Sequence, residues 1–391
     1  MKKVLIIQQL IPHYRVDFFN LLRAELAKDN IELHIIYGKS SASYKSGQEN
    51  NVLAWGNVVE NKIFTMGAAQ LVWQPLTKYV KNHDLVIVEK SNKLLLNYYL
   101  IAGRTVSTFK LGFWGHGRNL QADPNSWNNK FAIFFLKKCD WWFAYTNSVK
   151  EYLIKNKFPD KKITVVQNAI DTKSLQQQYL EISYDEVNAL KNQLGITGEH
   201  VAIFCGGMYA NKRIDFLLET CYRIKKLIPD FHIIFLGTGE EAYKIEKAAG
   251  TNEWLHYVGP KKGLDRVIYF RISSVQLMPG LVGLGILDSF ALQTPIITTD
   301  YEYHSPEVDY LIDGKNGIIT ANNLEDYTNK IVELFKDNKY FDLIEGCQVS
   351  AQKYTVEKMV SNFKSGILQC LESKTASSQS DKRSFLSYQK K

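Results

Sequence analysis

The 391-residue sequence predicts two doubly wound α/β domains, and three observations carry that reading. Short apolar strand patterns alternate with helical ones almost throughout, a polar stretch over about 172–199 interrupts the alternation once, and glycine-rich turns stand where strands pass into helices. In the first half, strand patterns fall at Val4–Ile7, Ile31–Tyr37, Leu85–Val88, Lys110–Trp114, Trp142–Tyr145 and Ile163–Val166, with a helical pattern over Val16–Ala27. From Val201 the alternation resumes, with strands at 201–205, 231–236, 255–258, 275–278 and 295–299 and helices at 214–227, 240–249, 264–272 and 285–292. The polar stretch is expected to hold the interdomain connection and one amphipathic helix. The first domain is expected to span 1–172, leaving open that a C-terminal helix over about 355–372 returns to it, and the second to span 173–354. The serine-rich, basic tail 373–391 is expected to be disordered.

Composition narrows the partners. A formal net charge of +8 suits anionic ligands or an anionic membrane surface, but it is too dilute to argue for nucleic acid. Five cysteines, at 139, 205, 221, 347 and 370, are scattered and form no C-x-x-C pair. They read as core thiols in a reducing cytosol. The N-terminal MKKVLIIQQLIPHYR meets Gln8, Gln9 and Pro12 rather than a small-residue cleavage site, so it reads as a first strand. No apolar run approaches the roughly 20 residues that span a bilayer. A cytoplasmic protein is expected.

The most informative stretch is PGLVGLGILDSFALQTPIITTDYEYHSPE, residues 279–307. Glycines 280, 283 and 285 lie at a strand-to-helix turn, where backbone N–H groups approach an anion closely and the helix dipole favours negative charge. Asp288, about one turn into the helix, can accept hydrogen bonds from a hydroxyl-bearing ligand. Phosphate seat and acid together point to a nucleotide. A second site is FCGGMYANKRIDFLLE, residues 204–219, where Gly206 and Gly207 end a strand and Lys212 and Arg213 stand where the next helix begins. Cations there oppose the macrodipole by about 0.3–1 kcal/mol each when exposed, and a diphosphate relieves that conflict. The G-x-G at Gly237 and Gly239 reads equally as a phosphate turn or a tight turn. A dinucleotide fold is disfavoured, because no glycine follows the first strand at Ile7.

The order GG-x4-KR, GTG, HYVGP, GLGILDSFALQTP and HSPE resembles the nucleotide-binding domain of retaining glycosyltransferase family 4, whose fold is GT-B. In the first half, HYR at 13–15, WGHGRN at 114–119 and VVQNAIDT at 165–172 resemble that family's loops, so the likeness covers roughly residues 1–370. It implies two Rossmann-like domains facing across a cleft and transfer of a sugar from a nucleotide-diphosphate sugar, with retention of configuration. It further implies that Lys212 and Arg213 neutralise the donor diphosphate, that Asp288 holds the ribose, and that Gly283 and Leu284 lie under the phosphates or sugar. By the same likeness Tyr257, Val258 and Gly259 border the base, His116 contacts the donor sugar, and His13, Tyr14 and Arg15 lie on the acceptor side.

Two departures stand out. The first acid of the family's Glu-x7-Glu falls at Gly280, and its usual Arg after the first glycine falls at Gly207. Glu307 is a nearby acid that either supplies a missing contact or serves structurally. No D-x-D and no His/Cys cluster with metal spacing occurs, so a metal-independent reaction without a cofactor is expected. The resemblance implies a glycan or lipid-linked acceptor in bacterial surface polysaccharide synthesis. Trp127, Phe131, Phe134 and Phe135 share one helical face within a lysine-rich region, which reads as core beside a solvated face or as a dock on the inner membrane leaflet. Two other classes stay open: a sugar-nucleotide epimerase or hydrolase of the same fold, and a non-catalytic partner subunit.

Overall fold

The computed structural model describes residues 1–39, 53–67, 69–104, 109–117 and 133–373. The chain divides into two compact units, one formed by Met1–Asn168 with the stretch from Val356 onward, the other by Ala169–Thr355. Both are Rossmann-like. The tail beyond Ser373, Arg118, Asn119, Trp127 and Phe131 lie outside the described residues.

In the first unit, seven parallel strands run in the order Asn57–Glu60, Ile31–Lys39, Lys2–Gln8, Leu85–Glu89, Lys110–Gly115, Trp141–Ala144, Ile163–Val165. The inner strands are apolar on both faces because helices cover both sides, which is why they read as near-continuous hydrophobic runs. Helices Val16–Ala27 and Val356–Glu372 pack on one face. There Phe18, Trp114 and Phe363 meet ring to ring at 4.9–5.6 Å. Such contacts contribute about 0.5–1.5 kcal/mol each beyond area burial. The chain builds outward from Lys2–Gln8, then returns to place Leu85–Glu89 on its other side. That reversal is the switch point of the sheet.

The second unit repeats the design with six parallel strands, in the order Leu255–Gly259, His232–Leu236, Val201–Cys205, Val275–Leu277, Ile296–Thr299, Gly317–Thr320. Its switch point lies between Val201–Cys205 and Val275–Leu277. The helix Ile214–Leu227 buries Ile214, Leu217, Cys221 and Ile224, an apolar stripe at helical spacing.

Several features depart from the expected elements. The polar stretch after residue 171 holds two helices, Thr172–Glu181 and Tyr184–Gln193. Asp171 caps the first, and a Ser183–Glu186 capping box starts the second, so the break falls at Ile182–Ser183. An antiparallel hairpin, Lys62–Met66 with Ala69–Trp73, forms where the sequence pattern suggests no element. The short strands Asn57–Glu60 and Gly317–Thr320 also extend the two sheets. Within the lysine-rich region, Phe134 is exposed, whereas the Phe135 ring packs edge-on against Tyr98 at 5.0 Å.

Candidate functional site

At the second switch point, two loops leave the carboxyl ends of neighbouring strands and are knitted together through their backbones. The Leu281 N–H donates to Asn211 O at 2.9 Å, Lys212 Nζ donates to Leu281 O, and Arg213 Nη1 donates to Pro279 O at 3.2 Å. The approach is so close that a Cβ at Gly280 would lie 2.3 Å from Asn211 O. Position 280 therefore has no room for a carboxylate of any length. The expected Glu-x7-Glu counterpart is excluded there by the same contact that holds the two loops in register.

Lys212 is half-buried and, among the described residues, meets no carboxylate within ion-pair distance. Burial pulls its ammonium down to about 8. Arg213 sits at φ 58°, the left-handed region that a branched or long side chain seldom adopts, and caps the following helix without a side-chain bond. Its guanidinium also reaches Thr299 Oγ1 at 3.3 Å and Asn322 Oδ1 at 2.6 Å. It lies 4.0 Å over the Phe216 ring. Arg213 is thus engaged in fixing the 279 turn, while Lys212 carries the charge less encumbered.

The glycine turns pack on one another. A Cβ at Gly237 would fall 2.0 Å from Gly206 O, and one at Gly239 2.4 Å from Met208 O. The Met208 N–H donates to Thr238 O at 3.0 Å, and Tyr257 Oη to Gly237 O at 3.2 Å. Gly206, Gly207, Gly237, Gly239, Tyr257, Val258 and Gly259 therefore gather at adjacent strand ends. Gly283 and Leu284 lead into the helix Gly285–Ala291, whose first turn carries Asp288.

Asp288 is 8 % exposed and is held by Arg266 in a two-pronged pair, both bonds 2.9 Å. The Asp288 carboxylate holds the Arg266 guanidinium above its ordinary value. Two lone-pair directions of the carboxylate remain for a hydroxyl. Beside the pair, burial pushes the Cys205 thiol up to about 12, so it is inert.

His304, from the HSPE segment, clamps the same turn. Its Nδ1 accepts from the Val282 N–H at 3.0 Å and its Nε2 donates to Thr299 O at 2.9 Å, so the ring must be neutral. Burial, aided by the charge of Lys212, pulls it below its ordinary value. Glu307, in the turn Pro306–Tyr310, is 2 % exposed.

In the first unit, His116 follows strand Lys110–Gly115 and is exposed, its ring 4.5 Å from Tyr145. His13 is exposed, Tyr14 half-buried and Arg15 3 % exposed. Arg15 donates to Asn168 Oδ1 and lies 4.7 Å over the Trp114 ring. Arg15 thus faces inward, binding the helical cover to the sheet. Sequence reasoning does not single out Arg266 or His304. The signal for Arg266 is only a cation in the helix before the glycine turn, and His304 is visible only as the first residue of the HSPE segment, with no role read for it.

Comparison with known proteins agrees with both halves. A model described as Glycosyl transferases group 1 matches residues 199–337, and one described as Glycosyltransferase Family 4 matches residues 19–174. The chain is thus similar to glycosyltransferase families in each of its two units. A curated relative, an uncharacterised glycosyltransferase of Haemophilus influenzae, is 25 % identical over 187 residues, 46 % of this chain and 51 % of the relative. The chain matches little more than half the length of its curated relatives. Among solved structures, Anabaena Alr3699/HepE in complex with UDP is similar at a TM-score of 0.68 and 14 % identity, over 94 % of this chain and 99 % of that one. Sucrose-phosphate synthase from Thermosynechococcus elongatus is similar at a TM-score of 0.69 and 12 % identity, over 94 % and 99 %. Both likenesses show the fold, GT-B. No helix among the described residues is long and apolar enough to cross a membrane.

Proposed function

We propose that this protein transfers a sugar from a nucleotide-diphosphate sugar to a glycan or lipid-linked acceptor, with retention of configuration and without a metal. The observation that carries the reading is the half-buried Lys212, free of any carboxylate among the described residues, set between two glycine turns at a switch point. Negative charge grows on the diphosphate as its bond to the anomeric carbon breaks. A preorganised cation and backbone N–H groups act on that charge more strongly than on the intact donor. Lys212 supplies the charge and the turn 283–285 the N–H groups, while Arg213 and His304 hold the turn in place. Asp288, oriented by Arg266, accepts from the ribose hydroxyls, and His116 meets the donor sugar.

Solved structures of the same fold hold UDP and UDP-glucose, which supports a nucleotide-sugar partner. Bacterial surface polysaccharide is the proposed setting, with the enzyme on the cytoplasmic side and in peripheral contact with the inner membrane. The test is a thermal-shift panel with UDP, GDP, ADP and CDP, each with and without EDTA. One diphosphate should stabilise by about 2.7 kcal/mol at 100 times its dissociation constant, insensitive to EDTA and lost in Lys212→Ala. No response to any of the four would favour a non-catalytic relative instead.

A further inference from the structure

The helices Val16–Ala27 and Val356–Glu372, which cover one face of the first sheet, leave a groove of about 720 Å³ between them, lined by residues of both. The second of these helices carries two stripes at helical spacing. Val356, Met359, Phe363, Ile367 and Cys370 are buried, and the Phe363 ring stacks on Phe143 of the sheet at 4.5 Å. Glu357, Val360, Lys364, Leu368 and Glu372, recurring every three or four residues, line the groove instead. The first helix adds Leu21 and Glu25, one turn apart.

Leu21 is 40 % exposed and Leu368 half-buried, so the groove leaves apolar surface open. An acid stands at each end of the lining stripe, Glu357 and Glu372, with Glu25 on the facing helix. Among the described lining residues the one cation is Lys364, which is already held by Glu25 at 3.4 Å and by Asp29 at 2.6 Å. The groove is thus apolar in the middle and acidic toward its ends.

The chain that follows the second helix has the complementary order. After the small polar residues 375–380, TASSQS, and Asp381 comes KRSFLSYQKK, 382–391. Lys382 and Arg383 precede Phe385, Leu386 and Tyr388, Lys390 and Lys391 follow them, and no acid interrupts the run. The lining stripe from Glu357 to Glu372 is about 22 Å long at the helical rise. The twelve residues from Lys374 to Phe385 reach up to roughly 40 Å when extended. The apolar triplet therefore reaches either end of the groove, and a flexible tether of this length supplies an effective concentration on the order of millimolar.

We propose that residues 382–391 of this chain seat in the groove between the two helices, with Phe385, Leu386 and Tyr388 on Leu21, Val360 and Leu368 and the flanking cations toward Glu357 and Glu372. Seated there, the segment ties the C-terminal helix to the first helix and takes Leu21 out of water. This inference concerns the first unit alone and does not use the transferase reading.

The test is disulfide trapping in the full chain. Ser365 is exposed on the lining stripe, and Ser387 lies between Leu386 and Tyr388. The five native thiols are free and four of them are buried, so under mild oxidation the Ser365→Cys, Ser387→Cys pair is the one that links. Linking requires the two Cα atoms to come within about 7 Å. Linked monomer, identified by mass spectrometry of its peptides, is the expected product, and added salt should slow its formation. It should form at least tenfold more slowly with Leu21→Glu, whose fold a melting curve checks, and with Leu386→Asp, which alters only the tail. Linked dimer in place of linked monomer would make a second copy the occupant and overturn the proposal. A linked monomer whose rate ignores both substitutions is the behaviour of a tether that meets the helix at random, and it overturns the proposal as well.

Discussion

The two switch points are built from different materials. Around Lys212 the chain uses glycine, so that backbones approach closely enough to exclude any side chain at 237 and 280. Around Lys90 it uses side chains, with the Asn97 amide bonding the loop carbonyls and the Phe113 ring lying under the ammonium. A ligand of constant shape, such as a nucleotide diphosphate, is well served by rigid backbone N–H groups that lose no rotamer freedom on binding. A site lined by side chains can be retuned by substitution without refolding the turn.

Turnover should suffer most when the glycine-built edge is disarmed. Lys212→Ala removes the cation proposed to meet the leaving diphosphate, and kcat/KM for the donor should fall about 10²–10³-fold. Lys212→Arg should rescue little, because the Leu281 carbonyl fixes a point charge rather than a fork.

Next comes the Arg266–Asp288 pair. Asp288→Ala leaves a mostly buried guanidinium without its carboxylate, a loss of about 3 kcal/mol, at the low end for buried pairs because Arg266 keeps 23 % of its side chain in water. Urea unfolding reads it directly. The double variant Asp288→Ala with Arg266→Met should recover stability but not donor affinity.

What can be read from the chain alone follows from the period of the signals. The strands and the helix Ile214–Leu227 appear in the sequence because burial on both faces or on one stripe imposes a pattern that extends over many residues. Hairpin Lys62–Met66 and Ala69–Trp73 leaves no such trace, since its exposed Phe64 and mixed polarity give no clean alternation. At the site, the glycine turns and Lys212 are readable from local sequence. Arg266 and His304 are not, because each acts across the fold on a residue 22 positions away, as the hydrogen bonds to Asp288 and Val282 show. The family's spacing would also put an acid at Gly280, where contact with Asn211 forbids it.

A smaller effect should follow Gly280→Ala, whose added carbon must push the Asn211 carbonyl aside. Overpacking of this kind costs about 1–3 kcal/mol and should raise the donor KM more than it lowers kcat, because the turn rather than the charge is disturbed. Equal losses in both parameters would count against a positioning role for the turn.

Acid sensitivity through His304 should be weaker still. Its folded value lies below its ordinary 6.5, so the folded state binds fewer protons than the unfolded chain. Stability is then full above about pH 6.5 and declines as the pH falls toward the folded value, a drop that His304→Gln should flatten. A melting series between pH 5 and 7.5 checks it.

In the proposed reaction Lys212 is the cation that receives the donor diphosphate. With its ammonium held at about 8 before binding, a dianion beside it must raise that value, so binding at pH 8 takes up a fraction of a proton. Titration calorimetry with the stabilising diphosphate in two buffers of different ionisation enthalpy measures that uptake. Net uptake is expected at pH 8, vanishing at pH 6.5, and it should be absent in Lys212→Met together with most of the affinity. Tight binding with no proton linkage, unchanged in Lys212→Met, would contradict that role.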